Sequence, residues 1–497
     1  MIHLLVLLAF ILLICVFKNY TRPKNFPPGP KGLRFVGNVP LIKRLSREKG
    51  GFHLALTSLA EQFNTNILGL QLGSDLVVVV FSEENLAQVH LNDEFLARPD
   101  NFFTRLRTMG VRRGITITDG ELWLEQHKFA LKHLHQLGFG KVVMKNLIQE
   151  ELKHFIEKIK AEKSNICITK YLAPLVLNVL WTIVAGTRFS IDDHRLTKLL
   201  EVMNARGKAF DMSGGVLNQF PWLRFISPEK SGYKLITELN SQLSNLIKDE
   251  IAKHKKTRTN EIRDFIDLYL AHIEDPATNK DIFNEDQLVA VCLDFFIAGS
   301  QTTSNTIGFA LLAMIRYPDV QEKVQQCLDA VYCTNQNHTF KFIEDKRLNY
   351  VTAVLLESMR TCHVVPVTGP RRATRTTAVG GYTIPEGTTV LMSVYSILQD
   401  KTRWGDPEVF RPERFLDSNG DIINSEKLYF YGRGKRRCIG EALARNFILQ
   451  FFTSLVHQFK FTPSPGKDIP TTPIPGITLS PRPFYVDVTV RDHNPAG

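Results

Sequence analysis

The run of residues from Asn284 to about Arg316 most constrains the fold of this chain. Asn284 is a good helix N-cap, and the residues after it are apolar on most faces of a helix. A helix with this pattern has to be buried on nearly all sides. The chain of 497 residues shows no fixed-period repeat and no Gly/Ser linker, so it predicts one large helix-dominated domain despite its length.

The rest of the chain supports a mainly α fold with small β-sheets, an α+β class. Apolar residues recur at three- and four-residue spacing over most of residues 50–350, as amphipathic helices require. Strand-like runs occur near residues 66–81, and again at 378–393 around a Pro-Glu-Gly turn. A proline-rich loop is expected at residues 462–483.

The N-terminus predicts a membrane anchor. Residues 2–17 are apolar except for His3, and the positive charges follow the apolar run instead of preceding it. A cleaved signal peptide is the alternative, but it requires a charged start and a small-residue cleavage site. We therefore expect an anchor at residues 1–18, a stiff proline-rich hinge at 19–31, and a single cytosolic domain at 32–497.

Charge and cysteine content narrow the functional classes. The net charge of +11 suits nucleic acid, an anionic membrane surface or an acidic protein partner. The chain has seven cysteines, an odd number, and they are scattered along the sequence. This pattern favours reduced thiols in a cytosolic setting over a disulfide framework.

The stretch "YFYGRGKRRCIGEALAR" around Cys438 carries the strongest chemical signal. It is not a phosphate loop, because Arg436 follows Lys435 where that loop needs Ser or Thr, and it lacks the Cys or His spacing of a zinc site. No aromatic-rich module surrounds its basic run, so we expect no nucleic-acid partner. A single thiol among cations, before a helix, suits a metal whose other positions are filled by a macrocycle, as in haem held by cysteine.

The middle of the long apolar helix reads "AGSQTTSNT" over residues 298–306, and these residue types are unfavourable inside a helix. One interpretation is a kink lined with hydroxyl groups beside a small polar ligand. The alternative is that the hydroxyl groups bond back to backbone carbonyls of the same helix.

The Cys438 stretch resembles the haem-thiolate signature of the cytochrome P450 family, Phe-Gly-x-Gly-x-Arg-x-Cys-x-Gly. Tyr431 stands in the Phe position, and the other motif positions match. The resemblance implies the P450 fold, haem b as cofactor and Cys438 as the ligand of its iron. It also implies that Gly434 and Gly440 shape the loop and that Arg436 contacts a haem propionate.

Further segments resemble the same family in the expected order. Glu357 and Arg360 match its E-x-x-R motif, and residues 412–415 read "PERF". The resemblance implies a buried charge network of Glu357, Arg360 and Arg414. Without the resemblance, Glu357 and Arg360 would be read as an ordinary surface pair one helical turn apart.

Other propionate contacts are implied by the W-x-x-x-R motif and by the residue after Pro370. Trp123 and Arg371 match those family positions. His127 replaces the motif's Arg, so its contact would depend on pH, and Lys128 is the alternative partner.

The segment "AGSQTTS" resembles the family's oxygen-binding helix motif. Thr302 would be the hydroxyl of a proton relay, and Gln301 stands where relatives carry an acid that can deliver protons. The resemblance implies a monooxygenase that takes electrons from NADPH through a cytochrome P450 reductase, with cytochrome b5 as a second partner. The alternatives are a peroxide isomerase that needs no reductase, or a haem-binding sensor or carrier; retention of Ala298, Gly299 and Thr302 favours the monooxygenase.

Variable loops and apolar residues predict a lipophilic substrate. The predicted substrate contacts are Phe102, Phe103, Ala298, Val364, Val365 and Ile477. The chain resembles insect microsomal members of the family, and within them the methyl farnesoate epoxidases of juvenile hormone synthesis. A broad xenobiotic or steroid hydroxylase is the alternative. The resemblance implies attachment to the endoplasmic reticulum membrane, with the catalytic domain on its cytosolic face.

Overall fold

The computed structural model describes residues 22–190, 193–259, 261–332 and 345–492. The helices are α1 Val39–Lys49, α2 Phe52–Gln62, α3 Glu83–Leu91, α4 Phe102–Arg107, α5 Gly120–Gln136, α6 Val142–Glu162, α7 Thr169–Ala185, α8 His194–Ala209, α9 Gly215–Gln219, α10 Leu223–Ile226, α11 Tyr233–Thr257, α12 Phe265–Glu274, α13 Glu285–Arg316, α14 Pro318–Tyr332, α15 Asn349–Thr361, α16 Val394–Leu398, α17 Lys401–Trp404 and α18 Glu441–Gln458. The strands are β1 Ile67–Leu72, β2 Asp75–Val80, β3 Arg371–Arg372, β4 Thr377–Val379, β5 Tyr382–Ile384, β6 Thr389–Met392, β7 Phe459–Pro463 and β8 Val486–Val490.

Helix α13 is the central helix that the sequence predicts. The side-chain oxygen of Asn284 accepts the backbone N–H of Gln287 at 3.0 Å, which caps its first turn. The helix ends at Arg316, just before Pro318. Helices α7, α11, α15 and α18 pack around it, so its apolar faces are covered by protein.

The small sheets confirm the α+β class. Strands β1, β2, β6 and β3 form one sheet in that order; β2 and β6 are parallel, and the other pairs are antiparallel. Strands β4 and β5 form a hairpin, and β7 pairs with β8. The predicted Pro-Glu-Gly turn at residues 385–387 therefore separates two strands that belong to different sheets.

The predicted anchor at residues 1–18 lies outside the described residues. Within the described ranges, no helix combines the length and the apolar character that a bilayer crossing needs. The described part of the hinge is fixed to the sheet. Arg22 donates to the carbonyls of Pro27, Pro30 and Gly69, and the Gly69 N–H donates to the Pro28 carbonyl at 2.7 Å.

Candidate active site

The loop before α18 places Cys438 in the wall of a cavity, and its side chain is accessible from that cavity. Its backbone N–H donates to the Tyr431 carbonyl at 2.8 Å, which closes the loop on itself. Gly434 has φ +69°, and a Cβ there would lie 2.5 Å from the carbonyl oxygen of His90. Only glycine allows this loop to approach α3 so closely.

The electrostatics of Cys438 differ from the sequence-based expectation. Burial raises the pKa of its thiol, and the Gly440 N–H and the Arg437 guanidinium oppose this shift without outweighing it. Arg437 is paired with Glu441 at 2.6 Å, which reduces its effect on the thiol. The neighbouring cations alone therefore do not favour a thiolate, and a bound metal cation would have to supply the remaining stabilisation.

Two cavities meet at the middle of α13. The first, which we call the cysteine cavity, has a volume of about 220 Å³ and lies between Cys438 and Thr302. The second, the arginine cavity, has a volume of about 230 Å³ and is lined in part by Arg98, Arg107 and Arg206. Ala298 and Thr302 line both cavities, so a ligand in one reaches the other at these residues.

The middle of α13 is continuous helix, so the predicted kink does not interrupt it. The Thr302 hydroxyl donates to the Ala298 carbonyl at 2.9 Å, and the Thr306 hydroxyl to the Thr302 carbonyl at 2.9 Å. These are the backbone bonds of the alternative interpretation. A Cβ on Gly299 would lie 2.4 Å from Leu180, so this glycine permits the close packing of α7.

A cluster of buried cations lies beside the cysteine loop. The Arg436 guanidinium lies over the Trp123 ring at 3.8 Å and donates to the carbonyls of Leu96 and Thr118. Burial, with the nearby Arg98 and Arg371, lowers the pKa of Arg436 to about 8.

Arg371 and Arg98 complete this cluster. Nε and Nη1 of Arg371 are buried, with no hydrogen-bond partner among the described residues. Burial and the charge of Arg98 lower the pKa of Arg371 to about 8, and burial lowers that of Arg98 to about 10. Asp119 offsets part of the charge of Arg98 and Arg436, but no carboxylate acts on Arg371. The cluster therefore keeps an excess of buried positive charge, which fits a ligand with anionic groups.

His127 and Lys128, the other residues predicted to contact a haem propionate, lie in different surroundings. The His127 ring lies 5.2 Å from the Trp123 ring, and burial together with Arg436 lowers its pKa, so it is neutral at pH 7. It can donate a hydrogen bond but brings no charge. Lys128 is exposed and pairs with Glu125 at 3.0 Å, and its role as the alternative partner stays a prediction.

Glu357, Arg360 and Arg414 form a buried network. Glu357 accepts two bonds from Arg360, at 2.7 and 2.9 Å, and one from Arg414 at 3.0 Å. Glu357 and Arg360 are fully buried. The network joins α15 to the "PERF" turn at Pro412–Phe415, and α15 leads directly into the segment that lines the cysteine cavity.

The predicted substrate residues divide between the two cavities. Phe103, Ala298 and Ile477 line the arginine cavity, whereas Val364 and Val365 line the cysteine cavity. Phe102 is absent from the walls of both cavities, so its contact with substrate stays a prediction. Its ring packs on Tyr233 and lies under the Arg224 guanidinium.

Sequence reasoning missed two arginines of the site. Arg98 donates from Nη1 to the carbonyls of Gly369 at 3.1 Å and Pro370 at 2.7 Å, next to Arg371. Arg206 lies at the end of α8 and lines the arginine cavity. Both are single cations without a local motif, so no pattern in the sequence marks them.

The site fits a flat apolar group that carries a metal and anionic substituents. The cysteine cavity offers one thiol and a mostly apolar wall between α18 and α13, and the buried arginine cluster beside the cysteine loop leaves Nε and Nη1 of Arg371 and Nε of Arg98 without hydrogen-bond partners among the described residues. An iron porphyrin with two propionates has these properties, so the residues present fit haem held by a cysteine.

Comparison with known proteins agrees with this class, and the chain belongs to the cytochrome P450 family. The family model described as cytochrome P450 matches residues 27–488. Membership makes the chain a cytochrome P450 monooxygenase and implies haem iron as its cofactor.

Relatives match over nearly the whole length of both chains. The probable cytochrome P450 305a1 of Drosophila melanogaster is 40% identical over 495 residues, covering 98% of each chain. The farnesoate epoxidase of Bombyx mori is 35% identical over 486 residues, covering 97% of each chain. Cytochrome P450 2J5 of Mus musculus is 31% identical over 490 residues, covering 97% of this chain and 94% of the relative.

Proposed function

We propose that this monooxygenase inserts one oxygen atom from O2 into a lipophilic isoprenoid, as in epoxidation of methyl farnesoate or its parent acid to a juvenile hormone. The observation that carries the proposal is the arginine cavity, which opens onto the cysteine cavity at Ala298 and Thr302. The 35% identity to a farnesoate epoxidase supports this substrate class over a broad xenobiotic or steroid hydroxylase.

We propose that Cys438 ligates the haem iron and that Arg98, Arg371 and Arg436 hold the propionates, with Trp123 and His127 beside them. Gly434 and Gly440 give the loop its shape. When bound, the iron supplies activation of O2 with two electrons. Val364 and Val365 form the apolar end of the slot and exclude water from it.

We propose Thr302 as the residue that holds a proton or a water at the junction of the cavities. Its hydroxyl now donates to the Ala298 carbonyl, so it is available as an acceptor for a water molecule. Gln301 lines the arginine cavity, and its amide cannot lose a proton as a carboxylate does. Proton delivery would therefore depend on Thr302 and water.

The proposed function also includes an electron donor and attachment of the enzyme to a membrane. We propose NADPH–cytochrome P450 reductase as the electron donor, with cytochrome b5 as a second donor, docking near the Cys438 loop and the exposed Lys132. Lys435 there pairs with Asp93 at 2.6 Å. The exposed apolar side chains of Trp222, Phe225 and Ile226 around α10 support contact with the endoplasmic reticulum membrane.

We expect microsomes from cells that express the full chain with a reductase to convert methyl farnesoate or farnesoic acid to an epoxide when NADPH is added. The product is measured by chromatography in microsomal and soluble fractions. Conversion driven by a hydroperoxide and absent with NADPH plus reductase would contradict the monooxygenase proposal in favour of a peroxide isomerase. Activity confined to the soluble fraction would contradict the proposed location.

Replacing Thr302 by alanine is expected to lower epoxide formed per NADPH consumed by about 10²-fold, the lower range for a positioned proton donor. NADPH consumption should continue, because the change leaves electron transfer intact. Thr306→Ala is the matched control, since Thr306 also bonds back to its helix but lines only the cysteine cavity. Equal coupling in the two variants would remove Thr302 from the relay.

A further inference from the structure

Arg206 is a buried cation without a partner. It lies near the C-terminal end of α8, is only 6% exposed, and lines the arginine cavity. Among the described residues, the charged groups that act on its guanidinium are Arg107 and Asp294, and no side-chain or backbone hydrogen bond contributes. A charge that is removed from water without a counterion is costly, so this position is favourable only with an anion nearby.

The other two guanidinium groups of this cavity are already bound. Arg98 donates to two backbone carbonyls. Arg107 donates to one carboxylate oxygen of Asp294 at 3.0 Å, and the other oxygen accepts the N–H groups of Ile115 and Thr116, each at 2.8 Å. Asp294 is therefore bonded to Arg107 and to two backbone N–H groups, and its charge offsets only part of the effect of burial on Arg206.

Asp211 also lines the cavity, but its Oδ1 accepts the N–H and the hydroxyl of Ser213, and the charges that act on Arg206 are those of Arg107 and Asp294. Burial and the charge of Arg107 lower the pKa of Arg206 to about 9, opposed by Asp294, so Arg206 remains protonated at pH 7.

We propose that Arg206 binds the carboxylate of the substrate, so that the enzyme takes an apolar-chain acid in preference to its methyl ester. A planar guanidinium pairs with a carboxylate through two parallel hydrogen bonds, which an uncharged ester cannot match. This inference rests on the proposed function, because it assigns the polar end of that same isoprenoid substrate.

The test measures dissociation constants of farnesoic acid and methyl farnesoate from the ligand-induced shift of the Soret band. Haem-loaded wild type is expected to bind the acid about tenfold to a hundredfold more tightly than the ester, the value of hydrogen bonds to a charged group. Arg206→Met should lose this preference and keep its affinity for the ester. Arg206→Lys should retain part of it, and Lys208→Met, on the exposed side of α8, should behave as wild type.

The outcomes separate this inference from the proposed function. Equal affinity for acid and ester in wild type, or an unchanged preference in Arg206→Met, overturns the role of Arg206 even if the isoprenoid is epoxidised. An Arg206-dependent preference without epoxide formation leaves the inference standing and contradicts the proposed reaction. If neither compound binds, the proposed substrate is wrong, and the same comparison with lauric acid and methyl laurate decides the role of Arg206.

Discussion

Replacing Cys438 by serine is expected to abolish the carbon monoxide difference band of the reduced protein and to remove most of its monooxygenase activity. The thiol faces the cysteine cavity from a closed loop, and the described cysteines Cys167, Cys292, Cys327 and Cys362 do not line that cavity. A serine hydroxyl is a much weaker donor to iron than a thiolate, so the electron donation that favours O–O cleavage is lost. The measurement is the absorption spectrum of the dithionite-reduced protein under carbon monoxide.

Cys327→Ser provides the matched control for that substitution. Cys327 lies in α14, partly buried against the helical core and outside both cavities. Its replacement removes a thiol that does not line either cavity, so the band and the activity should remain. An unchanged band in Cys438→Ser, or equal loss in both variants, would show that Cys438 is not the iron ligand.

The sequence predicted the parts of the fold that depend on local patterns. Helix α13 has a capping residue at Asn284 and apolar side chains on nearly every face, and both signals are visible within one segment. Strands β1 and β2 were equally evident. The parallel pairing of β2 with β6 was not, because it joins Val78 to Val390 across the length of the chain and no short-range pattern encodes it.

In the candidate site as well, residues in local motifs could be predicted and residues that depend on distant segments could not. Cys438, Glu357 and Arg360 stand in dense motifs, whereas Arg98 and Arg206 are isolated cations whose surroundings come from other segments. Adjacent helical residues point about 100° apart, so the pair Phe102–Phe103 could not both be assigned from sequence. The structure shows that Phe103 lines the cavity while Phe102 packs on Tyr233.

The buried network gives the second large expected effect. Glu357→Ala removes the only carboxylate that directly bonds both Arg360 and Arg414 in the described structure, and Arg360 remains fully buried. Breaking a buried ion pair in this way costs about 3–5 kcal/mol, a large share of the roughly 5–15 kcal/mol by which folded proteins are stable. We expect a lower thermal midpoint and a shorter half-life on warming, measured by circular dichroism and by loss of the carbon monoxide band.

A neighbouring carboxylate shows why burial decides the size of this effect. Glu413, one residue before Arg414, pairs with Lys323 at 2.9 Å, but both side chains are half exposed. Water screens such a pair, so Glu413→Ala should cost about 0–1 kcal/mol. Glu357→Gln should fall between the two alanine variants, because an amide oxygen still accepts from the arginines but supplies no charge. If Glu357→Ala and Glu413→Ala lowered the thermal midpoint equally, the buried network would not be what holds the segments around Cys438 together.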